Sequence, residues 1–155
     1  MSVAKSNTAP AKAAGYSGTP LVQKLGMKPA MCVLLVDAPK AFKKTLGVIP
    51  EGVVLTTASR SKPAAKRFEL AVVFCKEASG LFDSFMAAAA VLDDAGGLWM
   101  AWPKKTSSLK SDVTENLLRE VLLPTGYVDN KVCAIDQDWS GLRFVKRKEL
   151  RTNPK

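Results

Sequence analysis

The sequence predicts a three-layer α/β domain with a mostly parallel sheet and an antiparallel pair at its C-terminal edge. Three observations predict it. Short apolar runs recur at Met31 to Val36, Phe68 to Cys75 and Leu98 to Trp102, and continuous apolar character suits strands buried on both faces of a parallel sheet. Helical periodicity lies between such runs, and alternation of strand and helix marks the α/β class. Near the end, Lys131 to Ile135 and Leu142 to Val145 are separated by a short polar stretch. That asks for an antiparallel hairpin, because a parallel pair needs a much longer crossover.

Taken in order, Gly15 to Pro20 is turn-rich, and Pro20 to Leu25 predicts a short helix stopped by Gly26. Met31 to Val36 is the first strand. Pro39 can open a helix at its first turn, carrying Phe42 to Leu46 and ending at Gly47. Pro50-Glu51-Gly52 is a turn, and the β-branched run Val53 to Thr57 is a second strand. Ala58 to Lys66 reads as a basic loop, and Phe68 to Cys75 as the third strand. Leu81, Phe82, Phe85, Ala89 and Leu92 share one helical face, with Asp93 to Gly97 as terminator. Leu98 to Trp102 is the fourth strand. Asp112 and Glu115 have the spacing of a capping box ahead of Leu117, Leu118, Val121 and Leu122, and Pro124 and Gly126 end that helix. Tyr127-Val128, Lys131 to Ile135 and Leu142 to Val145 are closing strands, with Asp136 to Gly141 as the hairpin connection.

At 155 residues the chain fits one domain with a sizeable core. The expected layout is an unstructured arm over 1–15, a single domain over 16–151 and a tail over 152–155. Apolar residues make up 47% and charged residues 24%, which excludes a wholly disordered chain. No apolar run approaches the roughly 20 residues of a membrane span, and Met1 to Ala14 has no apolar segment of a secretory signal. A soluble, cytoplasmic protein is expected.

The chain has no histidine, which removes Ser-His-Asp and Cys-His catalysis and the commonest general base near neutral pH. Cys32, Cys75 and Cys133 each sit in apolar runs without CxxC spacing. They read as reduced core thiols, and no metal site is expected. The net charge of +9 favours anionic partners. Basic residues concentrate in Arg60, Lys62, Lys66 and Arg67, and again from Arg143 to Lys155.

Lys28 to Pro39, Phe68 to Cys75, the helix after it, Asp94 to Leu98 and the closing strand pair together resemble a small Rossmann-like class I methyltransferase fold over roughly residues 27 to 147. The resemblance implies a glycine-rich loop after the first strand, where backbone approaches S-adenosylmethionine, and an acid ending the second strand, where it binds the ribose. Here the loop is Asp37-Ala38-Pro39-Lys40-Ala41 and the second strand ends Leu55-Thr56-Thr57-Ala58. Neither handle is present, so no useful affinity for S-adenosylmethionine, and no cofactor, is expected. Gly15 to Leu21, Trp102-Pro103-Lys104-Lys105, Lys131 to Asp136 and Trp139-Ser140-Gly141-Leu142 resemble the bacterial family catalogued as domain of unknown function three thousand and fifty-two. That resemblance implies a compact α/β domain and carries over no catalytic residue.

Ligands of open α/β sheets bind outside the carboxyl ends of the strands. The residues placed there are Asp37, Lys40, Lys76, Trp102, Lys104 and Lys105, with lysines as point charges for an anion and Trp102 as a stacking surface. Asp136, Asp138, Trp139, Ser140 and Arg143 are secondary candidates: two carboxylates for acid–base work, or turn formers, or a salt link to Arg143. The expected function is therefore non-catalytic binding of an anionic small molecule or acidic protein at this edge. A divergent methyltransferase, with Asp37 or Asp136 positioning its ligands, is the alternative. A nucleic-acid-binding accessory protein using the basic blocks is the second alternative, without a helix-turn-helix or RNA-recognition signature. No membrane partner is expected.

Overall fold

The computed structural model describes residues 19–59 and 67–151. The expected N-terminal arm, the loop residues 60–66 and the tail over 152–155 lie outside them. The elements are α1 (Leu21–Leu25), β1 (Cys32–Val36), α2 (Phe42–Leu46), β2 (Val54–Ala58), β3 (Phe68–Phe74), α3 (Leu81–Ala90), β4 (Leu92–Pro103), α4 (Glu115–Leu122), β5 (Tyr127–Ala134) and β6 (Trp139–Lys146). The six strands form one sheet in the order β2-β1-β3-β4-β6-β5. β1 pairs in parallel with both β2 and β3, and β3 with β4. β6 runs antiparallel to both β4 and β5. Val33 to Val36, Ala71 to Phe74 and Leu98 to Met100 are thus adjacent, parallel and buried, as their apolar runs predict.

Alternation along the central strands divides the core in two. Leu34, Val36, Ala71, Val73, Leu98 and Met100 face α3 and α4, meeting Leu81, Phe85, Leu118 and Leu122. Val33, Leu35, Leu70, Val72, Trp99 and Ala101 face α1 and α2, meeting Leu21, Leu25, Phe42 and Leu46. Both faces of the sheet are covered, which is the three-layer arrangement. Phe85 sits at the centre of the first core, edge-on to Tyr127 at 5.1 Å and Phe144 at 5.7 Å. The Trp99 indole in the second donates to the Leu25 carbonyl at 3.0 Å, so a buried N–H is satisfied.

Local expectations fail where packing outweighs local signals. Asp93 to Gly97 does not terminate a helix: α3 ends at Ala90 and these residues belong to β4. Gly97 pairs with Leu70 of β3, and at Gly96 and Gly97 an added Cβ would stand 2.8 Å from Leu92 Cγ and 2.6 Å from an Arg143 nitrogen. The buried stripe of α3 is Leu81, Ser84, Phe85 and Ala88, while Phe82 is 47% exposed. The N-cap of α4 is Thr114, whose hydroxyl accepts from the Leu117 N–H at 3.1 Å. Asp112 instead accepts from the Ala78 N–H at 2.7 Å, tying two loops together. Tyr127 to Ala134 is one strand with an irregularity between Asp129 and Lys131. The connection to β6 is shorter than expected, because Trp139, Ser140 and Gly141 already pair with β4. Of the cysteines, only Cys75 is buried; Cys32 and Cys133 are half-buried. Among the described residues no helix is long and apolar enough to cross a membrane.

Candidate functional site

The chain runs from β1 outward to β2, then returns past β1 to β3 on its other side. Connections therefore diverge between the carboxyl ends of β1 and β3, the topological switch point where α/β sheets leave a crevice. A cleft of about 750 Å³ opens there, lined by Asp37 and Pro39 after β1, Ser59 after β2, and Phe74 to Glu77 at the end of β3. Ser84 of α3, Leu109, Asp138 and Trp139 complete it.

Each wall has a local cause. Asp37 has φ of 55°, in the left-handed region that aspartate tolerates better than most residues. Its N–H bonds the Ala58 carbonyl at 3.0 Å, which prolongs the β1–β2 ladder while the chain turns away. Trp139 and Phe42 both meet Phe74 edge-on, at 5.0 Å and 4.8 Å, so the aromatic floor is fixed by the core on the α2 side. One Asp136 carboxylate oxygen accepts from the N–H groups of Asp138 and Trp139 at 2.8 Å and 2.9 Å. That is the self-bonding turn chemistry of aspartate. Asp138 accepts from the Ser107 hydroxyl at 2.8 Å, and the Lys104 N–H bonds its carbonyl.

The expected site is brought together in part. Asp37 and Lys76 line the cleft, joined by the secondary candidates Asp138 and Trp139. Lys40, Lys104 and Lys105 do not line it: Lys40 and Lys105 point to solvent and Lys104 is half-buried. Trp102 is not a stacking surface, being 8% exposed within the core on the α3 side. Ser140 is a half-buried strand residue paired with Trp102. Asp136 is spent on its turn. Arg143 makes no salt link to Asp136 or Asp138. It stands four residues along β6 and bonds the Asn130 side chain at 3.4 Å.

Sequence reasoning missed Ser59, Glu77, Ser84 and Leu109. Ser84 carries a legible signal, a polar residue on the apolar stripe of a helix; it is 3% exposed and faces the cleft. Glu77 follows Lys76 at the same strand end. Leu109 has no local signal, since the loop that carries it is placed by the Asp112 and Asp138 hydrogen bonds. Among the described residues, the lining therefore holds the carboxylates of Asp37, Glu77 and Asp138 and the ammonium of Lys76.

Structural comparison finds the same fold in methyltransferases. An S-adenosylmethionine-dependent methyltransferase from Aquifex aeolicus matches with TM-score 0.57 at 12% identity, over 80% of this chain and 86% of that one. The N-methyltransferase NodS from Bradyrhizobium japonicum WM9 matches with TM-score 0.54 at 13% identity, over 80% and 90%. TrmN from Thermus thermophilus matches with TM-score 0.51 at 15% identity, over 82% of this chain, which spans 47% of that protein. At such identities the likeness establishes the fold. No family model matches the sequence, and no curated protein matches it.

These findings correct the expected function. A non-catalytic protein holding an anionic ligand or acidic partner at the carboxyl edge is overturned by the methyltransferase neighbours, which favour the alternative. The physical reason lies in the cleft: its lysines were read from strand ends in the sequence, but Lys40, Lys104 and Lys105 do not line it, and among the described residues carboxylates predominate there.

Proposed function

We propose that the chain is a divergent class I methyltransferase whose donor site is the switch-point cleft. The observation that carries this reading is the cleft's position at the diverging carboxyl ends of β1 and β3, where sheets of this architecture bind nucleotide-like ligands. Its volume suits a ligand of that size. Its charge supports the same reading. S-adenosylmethionine carries a sulfonium and an ammonium, which three carboxylates favour, and a carboxylate, which Lys76 can meet. When bound, that cofactor supplies an electrophilic methyl group. The chain's own part is to orient the ligand through Asp37 and Glu77 and to exclude water with Phe74, Leu109 and Trp139.

The handles differ from those of the family. Pro39 offers no N–H on the loop after β1, and Ser59 stands just beyond the end of β2 where an acid is expected. Affinity on this reading rests on the carboxylates at the ends of β1 and β3. Calorimetric titration tests it. S-adenosylmethionine should bind with a dissociation constant of about 100 μM or tighter, or about 5.5 kcal/mol. S-adenosylhomocysteine, which lacks the sulfonium charge, should bind more weakly. Absence of saturable binding by either compound would sink the reading.

A further inference from the structure

A second cleft, of about 390 Å³, lies at the opposite end of the sheet, on the α1 side where β3 and β4 begin. Its chemistry is the reverse of the first. Among the described residues, Lys24, Lys28, Lys131 and Arg143 line it with one carboxylate, Glu69. That carboxylate is already engaged, accepting from the Cys32 N–H at 2.9 Å. Lys24 donates to the Ala134 carbonyl at 3.1 Å.

Arg143 is built into this cleft. Its guanidinium lies across Gly97, where a Cβ would stand 2.6 Å from Nη2 and 2.8 Å from Cζ. Glycine leaves that space open to the guanidinium in this position. On the other side the β5–β6 register shifts between Asp129 and Lys131, leaving Asn130 without a paired position. A bulge re-aims a side chain in this way, and the Asn130 side-chain amide oxygen Oδ1 accepts from Arg143 Nη1 at 3.4 Å. The partner is a neutral amide at long range. Burial pulls the Arg143 pKa down. A half-buried guanidinium held by a neutral group, beside the exposed ammonium groups of Lys28 and Lys131, is a poor arrangement for the empty protein and a good one for an anion. The planar fork matches two phosphoryl oxygens at once.

We infer that this amino-edge cleft binds a phosphorylated small molecule, with Arg143 gripping phosphoryl oxygens and Lys28 and Lys131 adding point charges. The volume is that of a small-molecule site, and the cations converge on one recess rather than tracking an extended strand. The site is separate from the donor cleft, so the two readings stand or fall independently.

The test titrates the full chain with inorganic pyrophosphate, with sulfate at matched ionic strength as control and a short single-stranded DNA as the polymeric alternative. Pyrophosphate should bind saturably. The Lys28→Gln, Lys131→Gln pair, both exposed, should weaken it about tenfold, equivalent to about 1.4 kcal/mol. The Lys43→Gln, Lys44→Gln pair, exposed on α2, should leave it unchanged. Arg143→Gln should abolish it, and is read beside the lysine pair because Arg143 also packs against β4. No saturable binding of pyrophosphate overturns the inference. So does equal weakening in both lysine pairs, which marks diffuse charge. Tighter binding of the DNA, with steep salt dependence, overturns it in favour of a nucleic-acid surface.

Discussion

Replacing Asp37 by asparagine and by alanine separates two contributions of one residue. The backbone there has φ of 55°, a conformation that costs an ordinary L-residue about 1 kcal/mol or more and that Asn and Asp tolerate. Asp37→Asn should therefore keep stability within about 0.5 kcal/mol, while Asp37→Ala should lose about 1 kcal/mol. Both remove the same charge from the cleft. A unit charge about 5 Å from a ligand cation contributes about 0.8 kcal/mol in bulk water and about 3 kcal/mol at an effective dielectric of 20. Asp37 is exposed, which draws the value toward the lower end, and about tenfold weaker binding of S-adenosylmethionine is expected of each variant. Urea denaturation reads the first effect and calorimetric titration the second. If Ala proves as stable as Asn, the strain is not there. If Asn binds as tightly as Asp, the carboxylate has no part in holding the ligand.

Phe85→Ala should cost about 3–5 kcal/mol, since Phe85 is fully buried and meets two rings edge-on; chemical denaturation measures it. Thr114→Ala should cost about 1 kcal/mol through loss of the α4 cap, whereas Asp112→Ala should spare the helix and speed amide exchange at Ala78, whose N–H it accepts. Burial pushes the Tyr127 hydroxyl above its usual value of 10.0. The folded state therefore keeps that proton longer than the unfolded state, and stability falls as pH rises from about 10 through the folded pKa. Tyr127→Phe should lack this component of alkaline destabilisation; identical alkaline limbs for the two proteins would refute it.

The strand–helix order, the parallel centre and the antiparallel edge were legible in the chain. Runs such as Val33 to Val36 and Ala71 to Phe74 are apolar at every position because both faces of those strands are covered, and that requirement is written locally. The carboxyl edge was legible too, since parallel strands share direction and Asp37 and Lys76 follow directly from strand ends. Membership of the cleft was not. Lys104 and Lys105 follow β4 as Lys76 follows β3, yet β4 runs on to Pro103 beside β6, and the lysines clear the cleft. Trp102 shows the same limit, because whether a terminal aromatic faces ligand or core depends on which layer covers it. Leu109, Asp138 and Trp139 reach the site through a loop and a hairpin held by bonds across 31 and 34 residues of chain. Asp93 to Gly97 reads as a breaker by composition, but it extends β4 because β3 pairs at either end of it, Leu92 with Phe68 and Gly97 with Leu70. Local sequence carried the burial pattern that sets the layers. Only the packed fold decided which charges meet, since charge encounters depend on long-range contacts that no short stretch of chain encodes.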